Sequence, residues 1–132
     1  MTCRRCGGGQ ATICLSCTAE LQEGRVTAPA WWPEWVKDDS DYRAALYILD
    51  APVLRGKGRQ LFDDTTRSIR FQDVPSLDWS SGQMVVVKAA RSLFNGMTEV
   101  SLRELAGALD DASFERVMTA MRLWRDGSLL ET

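Results

Sequence analysis

All four cysteines of the chain fall within its first seventeen residues, as Cys3-Arg-Arg-Cys6 and Cys14-Leu-Ser-Cys17 with seven residues between the pairs. Each C-x-x-C turn can present two sulfurs to one ion, and four thiolates in a tetrahedron suit a structural zinc. The chain must reverse between the pairs, and Gly7-Gly8-Gly9-Gln10 supplies residues that turn without steric cost. Ala11-Thr12-Ile13 then returns as a short strand, and residues 18–23 read as one or two helical turns stopped by Gly24. Four thiolates saturate the ion and leave no position for water or substrate, so the predicted role is structural. Two disulfides or four ordinary buried thiols are the alternatives. A reducing cytosol disfavours the first, and the second leaves the paired spacing unexplained. Arg4 and Arg5 lie inside the first pair, where they offset part of the tetrathiolate charge or touch an anionic partner.

Outside that segment the residues with binding chemistry are cations and tryptophans. Arg55-Gly56-Lys57-Gly58-Arg59 puts three cations and two glycines into five positions, a composition suited to phosphate contact from a flexible loop. A merely solvated loop is the alternative. Trp31, Trp32 and Trp35 either demand burial or, left exposed, form a partner-binding hot spot. The chain has no histidine, which removes every His-based triad, His general base and mixed Cys/His metal site. With no nucleophile matched to a base and no open metal position, a non-enzymatic protein is expected. The formal charge of -2 provides no whole-molecule field for nucleic acid and leaves local patches to do so.

These residues need elements to position them. Pro29 and Pro33 prevent a regular helix over 27–36, which reads as an extended strap. A helix over 42–50, capped by Ser40 or Asp41 and ended by Pro52, presents Ala45, Leu46, Ile48 and Leu49. Residues 60–63 and 68–74 pair as a hairpin across a turn at 64–66. Ser80-Ser81-Gly82-Gln83 has the form of a capping box, opening a helix that shows Met84, Val87, Ala90, Leu93 and Phe94 at helical spacing and closes at Asn95-Gly96. A second box, Ser101-Leu-Arg-Glu104, opens a short helix with Leu102, Leu105, Ala106 and Leu109. A third helix over 112–125 puts Phe114, Val117, Met118, Met121 and Trp124 on one face, and 128–131 read as a terminal strand. No apolar run approaches the roughly 20 residues of a membrane span, and no apolar signal region follows Met1. A cytoplasmic protein without a membrane partner is therefore expected.

Two segments resemble known families. Cys3-Arg-Arg-Cys6-Gly7, then Ile13-Cys14-Leu-Ser-Cys17 with Glu20-Leu21, resembles the small zinc ribbon that opens competence-associated phosphoribosyltransferases. The resemblance implies the metal site; the transferase domain is absent. Phe62-Asp63-Asp64-Thr65-Thr66-Arg67 echoes a phosphoribosyl-pyrophosphate loop without its closing glycine or its supporting strand. Over 80–132, the order of helix, polar crossing, short helix, tight turn, longer helix and Gly-x-Leu-Leu is similar to a winged helix-turn-helix. That resemblance implies a longer helix entering the major groove by its first turns. Those turns read Asp110-Asp111-Ala-Ser113-Phe114-Glu115-Arg116, which sets carboxylates toward phosphates.

The expectation is a mainly α fold with a four-cysteine zinc ribbon at 1–24, a Pro/Trp-rich strap at 25–39 and a mainly helical domain at 40–132. Its part 80–132 is a three-helix, helix-turn-helix-like module, and a short β-hairpin precedes it. The predicted function is that of a small zinc-binding regulatory protein. It contacts nucleic acid through Arg4, Arg5, Arg55, Lys57 and Arg59 or through the C-terminal helices. The alternative is a protein-protein adaptor that uses Trp31, Trp32 and Trp35 and binds no nucleic acid.

Overall fold

A computed structural model of the chain describes residues 25–96 and 99–131, so the cysteine pairs with Arg4 and Arg5 lie outside the described residues. Within them the fold is mainly helical: α1 Ser40–Leu49, α2 Ser81–Asn95, α3 Leu102–Ala108 and α4 Asp111–Arg125. Short 3-10 turns and two pairs of two-residue strands connect the helices. No helix among the described residues is long and apolar enough to cross a membrane.

Each α-helix begins where a side chain takes up backbone N–H groups that the helix leaves unpaired. Ser80 with Gln83 and Ser101 with Glu104 form reciprocal capping boxes on α2 and α3, as their spacing predicts. The cap of α1 is Asp39, one residue before the predicted Ser40 or Asp41, and the helix starts at Ser40. Its carboxylate accepts from the N–H groups of Asp41 (3.0 Å) and Tyr42 (3.1 Å). Asp39 has the extended backbone that a cap requires (φ -113°, ψ 114°). Asp110 caps α4 through a 2.7 Å bond from the Ser113 N–H.

α1 is the central helix, packed against both α2 and α4. Ala44, Ala45, Leu46, Ile48 and Leu49 are fully buried in α1, with Ala90 of α2 and Ala120 of α4 against the same core. Small residues at these positions let the helix axes approach closely. Arg43 near the start of α1 donates to the Leu123 and Trp124 carbonyls at the end of α4. Arg116 near the start of α4 donates to the Tyr47 carbonyl near the end of α1, so the two helices run antiparallel. Tyr42 meets Phe94 edge-on at 4.9 Å, and Gln83 donates to the Val53 carbonyl, which sets α2 antiparallel to α1 as well. The first turns of α2 and α4 therefore lie at the same end of the bundle.

The buried stripe of α4 is Ser113, Val117, Ala120 and Leu123; of the predicted face Phe114, Val117, Met118, Met121 and Trp124, Val117 alone belongs to it. Met121 and Trp124 are 43% and 42% exposed. Large side chains mislead here, because α1 comes close enough that alanine, rather than methionine, fills the contact.

Within residues 25–39 the one strand is β1, Val26–Thr27. The predicted strap otherwise folds back in a turn, with the Trp32 N–H bonded to the Pro29 carbonyl, and then forms a 3-10 turn at Glu34–Asp38 that begins directly after Pro33. Proline excludes a long helix here but suits the start of a short one. The hairpin forms between β2, Phe62–Asp63, and β3, Ser68–Ile69, shorter than predicted because residues Phe71–Ser76 adopt a 3-10 turn. At the other end of the chain, β4 (Leu130–Glu131) pairs in parallel with β1.

Candidate functional site

The loop 55–59 is held, and its conformation differs from a flexible tether. Arg55 occupies the left-handed region (φ 52°) and Gly56 follows at φ 83°, a pair of residues that turns the chain sharply after the 3-10 turn Pro52–Leu54. Gly58 then packs on the last turn of α1, so close that a Cβ there would stand 2.9 Å from the Leu49 carbonyl carbon. Lys57 is fixed between these points. Its ammonium donates to the Asp78 carbonyl and to Gln83 Oε1 (3.1 Å), with Nζ 5.2 Å from the centre of the Trp79 ring. Gln83, itself buried, accepts from the Ser80 N–H at 3.0 Å and donates to the Val53 carbonyl at 2.8 Å. One glutamine thus ties the cap of α2, the 3-10 turn Pro52–Leu54 and Lys57 together.

These contacts make one wall of a groove of about 900 Å³ at the end of the bundle where α2 and α4 begin. Arg55, Lys57, Asp78, Trp79, Asp110 and Arg116 carry its charge and aromatic surface. Arg55 is exposed, and its side chain makes no hydrogen bond or ion pair among the described residues. Arg116 is engaged: it donates to the Tyr47 carbonyl at 2.8 Å, stacks 3.9 Å above the Tyr47 ring and pairs with Asp50 at 3.6 Å. The Asp110 carboxyl is held below the usual carboxylate range, first by the Ser113 N–H and then by the Ser113 hydroxyl, so it is ionised at neutral pH. Among the described residues the groove therefore offers one free cation, one positioned ammonium and two carboxylates.

The predicted cations do not act as one patch. Arg55 and Lys57 share the groove, whereas Arg59 lies over the Trp31 ring at 4.8 Å, on the side of the strap. Trp32 is 5% exposed in the core. Trp31 and Trp35 are half-buried, and their indole N–H groups donate to Asp50 (3.2 Å) and Asp64 (3.0 Å). Trp31 and Trp35 also pack on Phe62. The apolar side chains that the domain does expose are elsewhere: Leu102 at 79%, with Met121 and Trp124.

Among the described residues no group of three or more Cys, His, Asp or Glu side chains is placed to hold a metal ion. The zinc ligands read from the sequence, Cys3, Cys6, Cys14 and Cys17, lie outside the described residues. No family model matches the chain, and searches of curated proteins and of solved structures likewise find no match.

Sequence reasoning missed Gln83, Asp78 and Trp79 as groove residues. Gln83 was legible as half of a capping box but not as the anchor of Lys57, a contact across 26 residues. Asp78 and Trp79 carry no motif.

Proposed function

We propose that the chain is a small zinc-binding, non-enzymatic regulatory protein that contacts nucleic-acid phosphate through Arg55 and Lys57. The carrying observation is Arg55, a cation without a hydrogen bond or ion pair among the described residues, in a left-handed backbone conformation beside a fixed ammonium at the groove. A non-glycine residue in that region is uncommon and costs conformational energy, and such residues cluster at functional sites. The reading assigns zinc to Cys3, Cys6, Cys14 and Cys17 as a staple for a glycine-rich segment, with Arg4 and Arg5 as further phosphate contacts. It gives Arg59 no part, because that guanidinium is occupied on Trp31.

The test has two parts on the full chain. Protein purified without added metal should carry about one zinc per chain, released on prolonged chelation. Binding to nucleic acid should fall steeply with salt, since each phosphate contact releases counterions, and Arg55→Ala should lower the slope of log K against log salt by about one. Absence of binding at low salt would end the reading.

The exposed Leu102, Met121 and Trp124 favour a second reading, a protein-protein adaptor docking on the C-terminal helices. It differs from an adaptor built on Trp31, Trp32 and Trp35, which pack on the domain's own core. Under it, Trp124→Ser with Met121→Ser abolishes partner capture and leaves the melting temperature nearly unchanged.

A further inference from the structure

We infer that the groove takes nucleic acid as a single strand, one nucleotide deep, and turns duplex away. The inference rests on the phosphate-contact reading above and names its ligand class.

Shape is the first reason. A concave space of about 900 Å³ is of the size that encloses a small ligand. A duplex instead presents its phosphates on convex ridges and is read by an element that projects into its major groove. The element available for that task here is the first part of α4. It exposes Asp110, Asp111 and Glu115, and its one cation there, Arg116, is turned inward onto Tyr47 and Asp50. A phosphate ridge laid along the exposed start of α4 would meet three carboxylates, with no free cation on that part of the helix itself.

Chemistry is the second reason. The groove sets acceptor-only carboxylates beside its cations. Asp110 accepts from the Ser113 N–H and from the Ser113 hydroxyl and keeps lone pairs for a further donor. Asp78 is engaged only at its backbone carbonyl, by Lys57, and its carboxylate makes no hydrogen bond or ion pair among the described residues. Such acceptors pair with the exocyclic amines and ring N–H groups of an unstacked base. In a duplex those donors are largely spent on the complementary strand. One phosphodiester at Arg55 and Lys57, with its base edge toward Asp78 and Asp110, satisfies both signs of charge at once. Either sign alone would describe a weaker site.

The experiment uses the full zinc-loaded chain and fluorescence anisotropy of a mixed-sequence oligonucleotide of roughly 12 nucleotides, single-stranded and as its duplex, at matched salt. The single strand should bind about tenfold or more tighter than the duplex. Equal binding, or tighter duplex binding, overturns the inference and leaves the phosphate reading standing. No binding of either form overturns both. Arg55→Gly removes the cation while suiting the left-handed backbone, so the variant should melt no lower than the parent and lose about tenfold in single-strand affinity. Unchanged affinity in that variant overturns the inference. Asp110→Asn retains a helix cap and should narrow the single-strand preference; a preference that stays constant overturns the base-edge contact. Inorganic phosphate added at constant ionic strength should displace the strand only partly, because it reproduces the cation contacts and not those of the base. Complete displacement would mark an anion site without nucleotide recognition and overturn the inference.

Discussion

Replacing Gly58 with alanine sets backbone entropy against tertiary packing, because the two demand opposite signs. Gly58 does not have a positive φ, so alanine should be tolerated by the backbone and, by restricting the unfolded chain, stabilise by about 0.4–1 kcal/mol. The packing says otherwise. A Cβ there would stand 2.9 Å from the carbonyl carbon of Leu49 and 3.0 Å from its Cα, and nearer still to the carbonyl oxygen. The carbonyl oxygen, the nearest atom, sets the demand, and restoring an ordinary contact to it requires a shift of about an ångström. The obstacle is backbone at the end of α1, whose Ile48 and Leu49 are fully buried, and neither side can rotate away. Overpacking commonly costs about 1–3 kcal/mol, and a backbone-on-backbone clash belongs at the upper end, so after the entropic gain the net loss is about 2–2.5 kcal/mol. With a urea slope of about 1.5 kcal/mol per molar, the unfolding midpoint falls by about 1.5 M. The assay is urea titration of parent and variant followed by tryptophan fluorescence and far-UV circular dichroism. A raised midpoint, or one lowered by less than about 0.5 M, would show that the loop yields and that Lys57 is not rigidly placed.

Other perturbations test the rest of the frame. Arg43, 8% exposed, donates to the Leu123, Trp124 and Lys37 carbonyls and to Ser40 Oγ. Arg43→Met should cost about 2–4 kcal/mol by leaving carbonyls unpaired, read from thermal melting, and a loss under about 1 kcal/mol would refute that role. Hydrogen bonds hold the carboxyls of Asp63, Asp110 and Asp126 below the usual carboxylate range, chiefly from the Thr66 N–H, the Ser113 N–H and the Ser128 hydroxyl respectively. A carboxyl depressed in the folded state contributes stability that is fully present above its unfolded pKa and lost as pH falls through the folded one. The urea midpoint should therefore be level above about pH 5 and decline below about pH 4. The triple Asp→Asn variant at these positions should show a shallower decline, and an equally steep one would place the acid sensitivity elsewhere.

Local interactions were legible in the sequence because neighbouring residues make them. Both capping boxes, the close of α2 at Gly96 and the existence of three C-terminal helices follow from contacts between residues three or four apart. The turn of the hairpin is equally local, with the Asp63 carboxylate accepting from the Thr65 and Thr66 N–H groups.

What only tertiary structure decided was which faces and side chains remain available. Met121 and Trp124 share a face with Val117 by periodicity, yet close approach of α1 through small residues buries Ala120 and Leu123 and leaves those two outside. Arg55, Lys57 and Arg59 are neighbours in sequence, but the turn at Arg55-Gly56 and the seat of Gly58 on Leu49 separate the first two from the third. The groove depends on α2 and α4 starting at the same end of the bundle, which in turn depends on both running antiparallel to α1. That arrangement comes from long-range packing and from Arg43, Arg116 and Gln83 bonding across 30 to 81 residues. Helix propensity, capping and local spacing act within a few residues and carry no information about it.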